Sequence, residues 1–124
     1  IRQAQQNGTL IFHNDGTQTR DYVYVDDVVN ALVAASVVED IKSEIINIGS
    51  GTETSVRELA RLVIDITGGK PEEVYNPRIS GGLSQMRADI TRAGEILSYV
   101  PLIPLEMGLR LTLEKGHFLQ NGNK

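Results

Sequence analysis

Asp15-Gly16-Thr17-Gln18-Thr19-Arg20-Asp21-Tyr22-Val23-Tyr24-Val25-Asp26-Asp27-Val28 decides how this chain reads. One arginine stands just past a loop rich in Gly, Thr and Asn. A short aromatic and β-branched run, Tyr22 to Val25, follows it and predicts a strand. Asp26 or Asp27 then caps a helix that runs to about Val38. Arg20 has two readings from residue type alone. It is a bidentate clamp on an anionic group such as a diphosphate, with a flexible loop closing beside it. Or it is a surface cation paired with Asp21 or Asp15. Asp26 and Asp27 are adjacent at a helix start, which favours capping over paired acid–base chemistry.

On the N-terminal side, Ile1 to Gln6 reads as the last turns of a helix stopped by Asn7-Gly8. The absence of an initiator Met there suggests a fragment of a longer protein. Thr9 to Phe12 is a short β-rich run, and residues 13–19 form a loop. On the C-terminal side, the helix from Asp26 carries apolar residues on most faces: Val28, Leu32 and Ala35 on one, Val29, Val33 and Val37 on another. Such a helix is expected to be buried, and so few residues leave its covering layer missing. Glu44 to Ile48 reads as a strand. Ser55-Val56-Arg57-Glu58 is a capping box, and Val56, Leu59, Ala60 and Val63 give the helical stripe it opens. Gly68-Gly69 and Pro71 end that helix. A short helix follows Asp89 or Thr91 through Leu97, and a last one carries Leu105, Leu109 and Leu113. Residues 120–124 are expected to be a loose polar tail.

The 124 residues make one domain or part of one, with 40% hydrophobic residues and a net charge of −4. That balance argues against a nucleic-acid or membrane surface, which needs clustered Lys and Arg. Cysteine is absent, so there is no disulfide framework or thiolate metal site, and a reducing cytoplasm is expected. His13 and His117 show no metal-ligand spacing and no triad company. No apolar run approaches the roughly 20 residues of a membrane span.

Asn47-Ile48-Gly49-Ser50-Gly51 exposes amides at a glycine turn, as a phosphate site does. It gives only G-x-G, with no third glycine entering a helix, so it is no dinucleotide fingerprint. The plainer reading is a strand-to-helix connection.

Segment 15–28 resembles the G-D-G-x-Q-x-R-D-F/Y-x-Y/H-V-x-D signature of the extended short-chain dehydrogenase/reductases. These are the NAD-dependent nucleotide-sugar epimerases and dehydratases, including UDP-glucose 4-epimerase-like enzymes. A second resemblance spans Pro77 to Ile90, where family members carry an arginine turn, often R-P-G-D, before an A-D pair. Here Ile79-Ser80-Gly81-Gly82 replaces Pro-Gly-Asp, and Gln85 stands where some relatives carry arginine. The resemblance covers about residues 1 to 119. It implies an α/β fold: late strands and helices of a Rossmann-like parallel sheet plus the small α/β cap that binds the nucleotide sugar. It implies that Arg20 and Arg78 are substrate-binding residues at the diphosphate, with Arg87 a weaker candidate. Catalytic and metal residues are expected to be none. The family's G-x-x-G-x-x-G turn and its Y-x-x-x-K pair do not occur, so NAD belongs to the full-length enzyme, on an N-terminal part outside these residues. The implied partners are a nucleotide-diphosphate sugar and, at full length, a second subunit in a homodimer. Two other readings stay open: a non-catalytic nucleotide-sugar-binding or regulatory module, and a structural truncation that binds nothing.

Overall fold

The computed structural model describes residues 1–13, 15–39, 43–77 and 84–121, with side chains as far as residue 116. Nine elements follow in order: α1 (Arg2–Gln5), β1 (Thr9–His13), β2 (Thr19–Arg20), α2 (Val25–Val37), β3 (Thr54–Ser55), α3 (Val56–Thr67), β4 (Glu72–Asn76), α4 (Thr91–Leu97) and α5 (Leu105–Asn121). The chain is α/β, with β1 and β4 parallel, from Thr9 opposite Glu72 to His13 opposite Asn76. Parallel pairing needs a long crossover. Here the crossover includes α2 and α3. A second, antiparallel pair sets Thr19 opposite Ser55 and Arg20 opposite Thr54.

Local signals hold where expected. Ser55 Oγ accepts the Glu58 amide at 3.1 Å, and Glu58 Oε2 accepts the Ser55 amide at 2.8 Å, the reciprocal bonds of a capping box. Gly68 ends α3 in the left-handed region at φ 66°, the conformation glycine adopts without steric cost.

Three expectations change. Tyr22 to Tyr24 lies in no strand: the ladder ends at Arg20, and α2 already begins at Val25. Tyr24, not an aspartate, is the N-cap of α2, and it makes no side-chain capping bond. Asp26 and Asp27 fall inside the first turn, where negative charge suits the helix dipole. Residues 44–48 form no strand either, for among the described residues they have no ladder partner. The sequence reading also passed over β4, whose Glu-Glu-Val-Tyr-Asn lacks an apolar alternation and is mostly exposed. α5 extends through Asn121, so residues 120 and 121 are helical, and 122–124 lie outside the described residues.

The core joins Ala31 of α2, Ala93 and Leu97 of α4, and Tyr99, with Ile46, Ile48 and Ile90 packed against them. Small alanines on both helices permit this close approach. The rest of α2 lacks a covering layer, the outcome its apolar composition led us to expect. Val29, Leu32, Val33 and Val37 remain 48–71% exposed. Their apolar face has no second layer among the described residues. Asp27, by contrast, is 1% exposed. Its carboxylate accepts the amides of Leu102 and Ile103, both at 3.1 Å, and so ties the start of α2 to the segment before α5.

Candidate functional site

Arg20, Asp21, Asn47, Gly49 and residues 85–89 line a cleft of about 620 Å³. The loop leading to Arg20 is tied down rather than loose. Asp15 Oδ1 accepts the Thr17 amide at 3.1 Å and its hydroxyl at 2.6 Å, closing an Asx turn. These bonds hold the Asp15 carboxyl below its ordinary value. The Arg57 amide donates to the Gly16 carbonyl at 3.0 Å, the Val56 amide to that of Gln18 at 3.0 Å, and the Thr19 amide to that of Ser84 at 2.8 Å. The Arg57 guanidinium also donates to the Asp15 carbonyl and lies 5.7 Å from the centre of the Tyr75 ring.

Arg20 therefore sits on a short ladder held from both sides. Its Nη1 donates to the Thr19 carbonyl at 2.6 Å, and its Nη2 reaches Gln18 Oε1 at 3.5 Å. Arg87 lines the same cleft. Arg78 lies outside the described residues.

Asp21 is a feature the sequence reading missed. Its Oδ1 accepts the Ser50 amide at 2.7 Å and the Ser50 hydroxyl at 2.6 Å. Its Oδ2 accepts the Gly51 amide at 2.9 Å and the Ala88 amide at 3.1 Å. Burial raises the Asp21 carboxyl, but the bonds from Ser50, Ala88 and Gly51 outweigh it, and the pKa falls below its ordinary value. The signal was present in the glycine turn, whose clustered amides need an acceptor. Asp89, also at the cleft, accepts the Thr91 amide at 3.0 Å and is likewise lowered, by its bonds from Thr91. Both carboxylates of the cleft are thus engaged by hydrogen-bond donors, and two arginines share it.

The Asn47–Gly51 turn does not fit a dinucleotide phosphate, because its Ser50 and Gly51 amides already bind Asp21. Gly49 packs tightly. A Cβ there would stand 2.6 Å from the Ala88 Cβ and 2.7 Å from Asp21 Oδ2. Behind the turn, the Tyr99 hydroxyl donates to the Gly49 carbonyl at 2.8 Å. Burial, then Asp27 and Asp21, raise the Tyr99 pKa.

Other titratable groups lie elsewhere. Asp26 pairs with Lys115 at 3.8 Å, and Lys115 lies over the Tyr24 ring. His13 ends β1 and is exposed, and the side chain of His117 lies outside the described residues. Among the described residues no group of three or more His, Cys, Asp or Glu could hold a metal ion. No helix among them is long and apolar enough to cross a membrane.

Residues 1–49 match the family described as NAD dependent epimerase/dehydratase. A UDP-glucose 4-epimerase of Mycolicibacterium smegmatis is 42% identical over 106 residues, which cover 86% of this chain and 33% of that protein. The crystal structure of the Thermotoga maritima UDP-glucose 4-epimerase with UDP-glucose superposes with a TM-score of 0.86 at 38% identity, over 95% of this chain and 38% of that one. The Bacillus cereus UDP-glucuronic acid 4-epimerase, in complex with UDP-glucuronic acid and NAD, also gives a TM-score of 0.86, at 31% identity. It covers 95% of this chain, which spans 38% of it. The chain thus spans well under half the length of these relatives.

Proposed function

The chain belongs to the NAD dependent epimerase/dehydratase family, and on that premise we propose that it is the C-terminal, nucleotide-sugar-binding portion of a longer UDP-glucose 4-epimerase-like enzyme. The observation that carries this reading is Arg20, held on a pinned two-residue ladder at the edge of a 620 Å³ cleft that Arg87 also lines. The two carboxylates of the cleft stay ionised but are turned onto their own hydrogen-bond donors, and Arg20 and Arg87 stand against their charge. A guanidinium offers such a group parallel, charge-assisted donors. The work of these residues is to bind and orient the sugar nucleotide, and positioning of that kind lowers a barrier by fixing reacting atoms before the chemical step.

NAD, in this reading, supplies hydride transfer from a part of the full-length protein beyond these residues. Arg78 belongs with Arg20 as a second diphosphate contact, and the full-length enzyme acts as a homodimer in the cytoplasm. Calorimetric titration of the full-length protein with UDP-glucose tests the reading. Saturable binding in the micromolar range is expected. No saturation up to millimolar ligand would refute it.

A further inference from the structure

The turn that looks built for an anion has one, and it comes from the chain itself. We propose that Asp21 is a positioning residue: its carboxylate fills an anion nest made by the Gly49–Gly51 turn and the Ala88 amide, and filling that nest fixes Arg20 at the cleft. Four donors converge on the carboxylate, three of them backbone amides: those of Ser50, Gly51 and Ala88. The fourth is the Ser50 hydroxyl. A set of convergent amides and a hydroxyl is what a phosphate oxygen receives in a loop nest. The donors come from two segments far apart in sequence, so the carboxylate joins three stretches of chain at one point.

The nest is closely walled. Gly49 leaves no room for a Cβ between Ala88 and Asp21, and the buried Tyr99 braces the turn from behind through its bond to the Gly49 carbonyl. Asp21 follows Arg20 directly. The peptide joining them is therefore held on one side by the ladder to Thr54 and on the other by the nest. An arginine side chain loses much rotamer freedom when it binds, and fixing its backbone on both sides lowers the remaining cost. Among the described residues, the charged groups at the cleft with Asp21 are Arg20, Arg87 and Asp89, and the neutral Tyr99 hydroxyl lies behind. The nest stands on geometry alone. Only its effect on ligand binding rests on the function proposed above.

The first test needs no variant. In the full-length protein, the amide protons of Ser50, Gly51 and Ala88 and the Asp21 carboxyl carbon should titrate by NMR with one shared midpoint. Unconnected midpoints, or amides that do not respond, overturn the nest. The second test uses Asp21→Ala in formate and in chloride at equal ionic strength. Formate should restore Tm saturably, and it should return the UDP-glucose Kd from a loss of about tenfold toward the wild-type value. Asp21→Asn should not be rescued, because its own amide occupies the nest. Equal Tm in the two salts overturns the nest. Recovery of Tm without recovery of Kd overturns the link to Arg20. If the wild type binds no UDP-glucose, the functional reading and that link fall together, while the amide titration and the Tm arm still judge the nest.

Discussion

Asp27 binds the amide of Leu102 at 3.1 Å across 75 residues of sequence, from inside a helix whose neighbouring side chains are largely exposed. A buried carboxylate that satisfies two backbone donors cannot be lost cheaply. Asp27→Ala leaves the Leu102 and Ile103 amides without their acceptor. The expected cost is roughly 2–4 kcal/mol, from two orphaned donors. Asp27→Asn keeps one acceptor and should cost about half as much. Urea midpoints for both variants decide the point, and a loss within error of zero for Asp27→Ala would mean that the 102–103 segment is not held by this bond.

Arg20→Ala should weaken UDP-sugar binding to the full-length protein by roughly 1.5–3 kcal/mol, the scale of a charge-assisted hydrogen bond lost. Arg78→Ala should cost less, since the loop around it departs from the family pattern. NAD affinity should not change in either. Uridine is the control: a diphosphate contact predicts a large loss for UDP-sugar and little for uridine. Equal losses for both ligands would reduce Arg20 to a structural cation.

Acid should remove stability through Asp21. Its folded pKa lies below the ordinary value, so the folded state releases the proton more readily than the unfolded chain. The resulting stability is complete above the ordinary carboxylate value of about 4 and is lost as pH falls through the lower folded value. Asp15, Glu58 and Asp89 are lowered too and act in the same direction. The part due to Asp21 is the difference between wild type and Asp21→Asn. Urea unfolding between about pH 2 and 6 should show the two curves converging at the acid end. Parallel curves across that range would remove Asp21 from the account.

The 124-residue chain by itself should self-associate. Val29, Leu32, Val33 and Val37 form one exposed apolar face on α2, larger than single scattered apolar residues explain. Sedimentation at several concentrations should show a rising mean mass, and Leu32→Glu with Val33→Glu should restore a monomer. A concentration-independent monomer of the wild-type chain would show that this face tolerates water.

What the sequence disclosed was local. The Ser55–Glu58 box and the glycine stop at Gly68 depend on residues within one or two turns, so both were legible. The apolar excess of α2 correctly signalled a face without cover. Residues 44–48 misled because a strand is a relation between two segments, and their β-rich composition supplies only one. Tyr22 to Tyr24 misled for the same reason. Asp21 was hidden by distance: its partners at Ser50 and Gly51 lie 29 and 30 residues away, and Ala88 lies 67 away. The same tie answers the glycine turn, whose amides had no visible acceptor in the local sequence. Arg78 depends on a loop outside the described residues, and Arg87, the weaker candidate from the sequence, lines the same cleft as Arg20.

The parallel pairing of β1 with β4 also sets an order of events in time. Their partners lie about sixty residues apart, and a loop that long closes against a chain-entropy penalty that local contacts do not meet. The capped helix α3 can form early and shorten the gap, leaving the sheet to close late. The stacked rings of Phe12 and Tyr75, 5.0 Å apart on the two strands, report that closure. In stopped-flow refolding of a variant whose only tyrosine is Tyr75, its fluorescence should lag the far-ultraviolet helix signal, and simultaneous phases would show that the helix and the long-range strand pair form as one cooperative step.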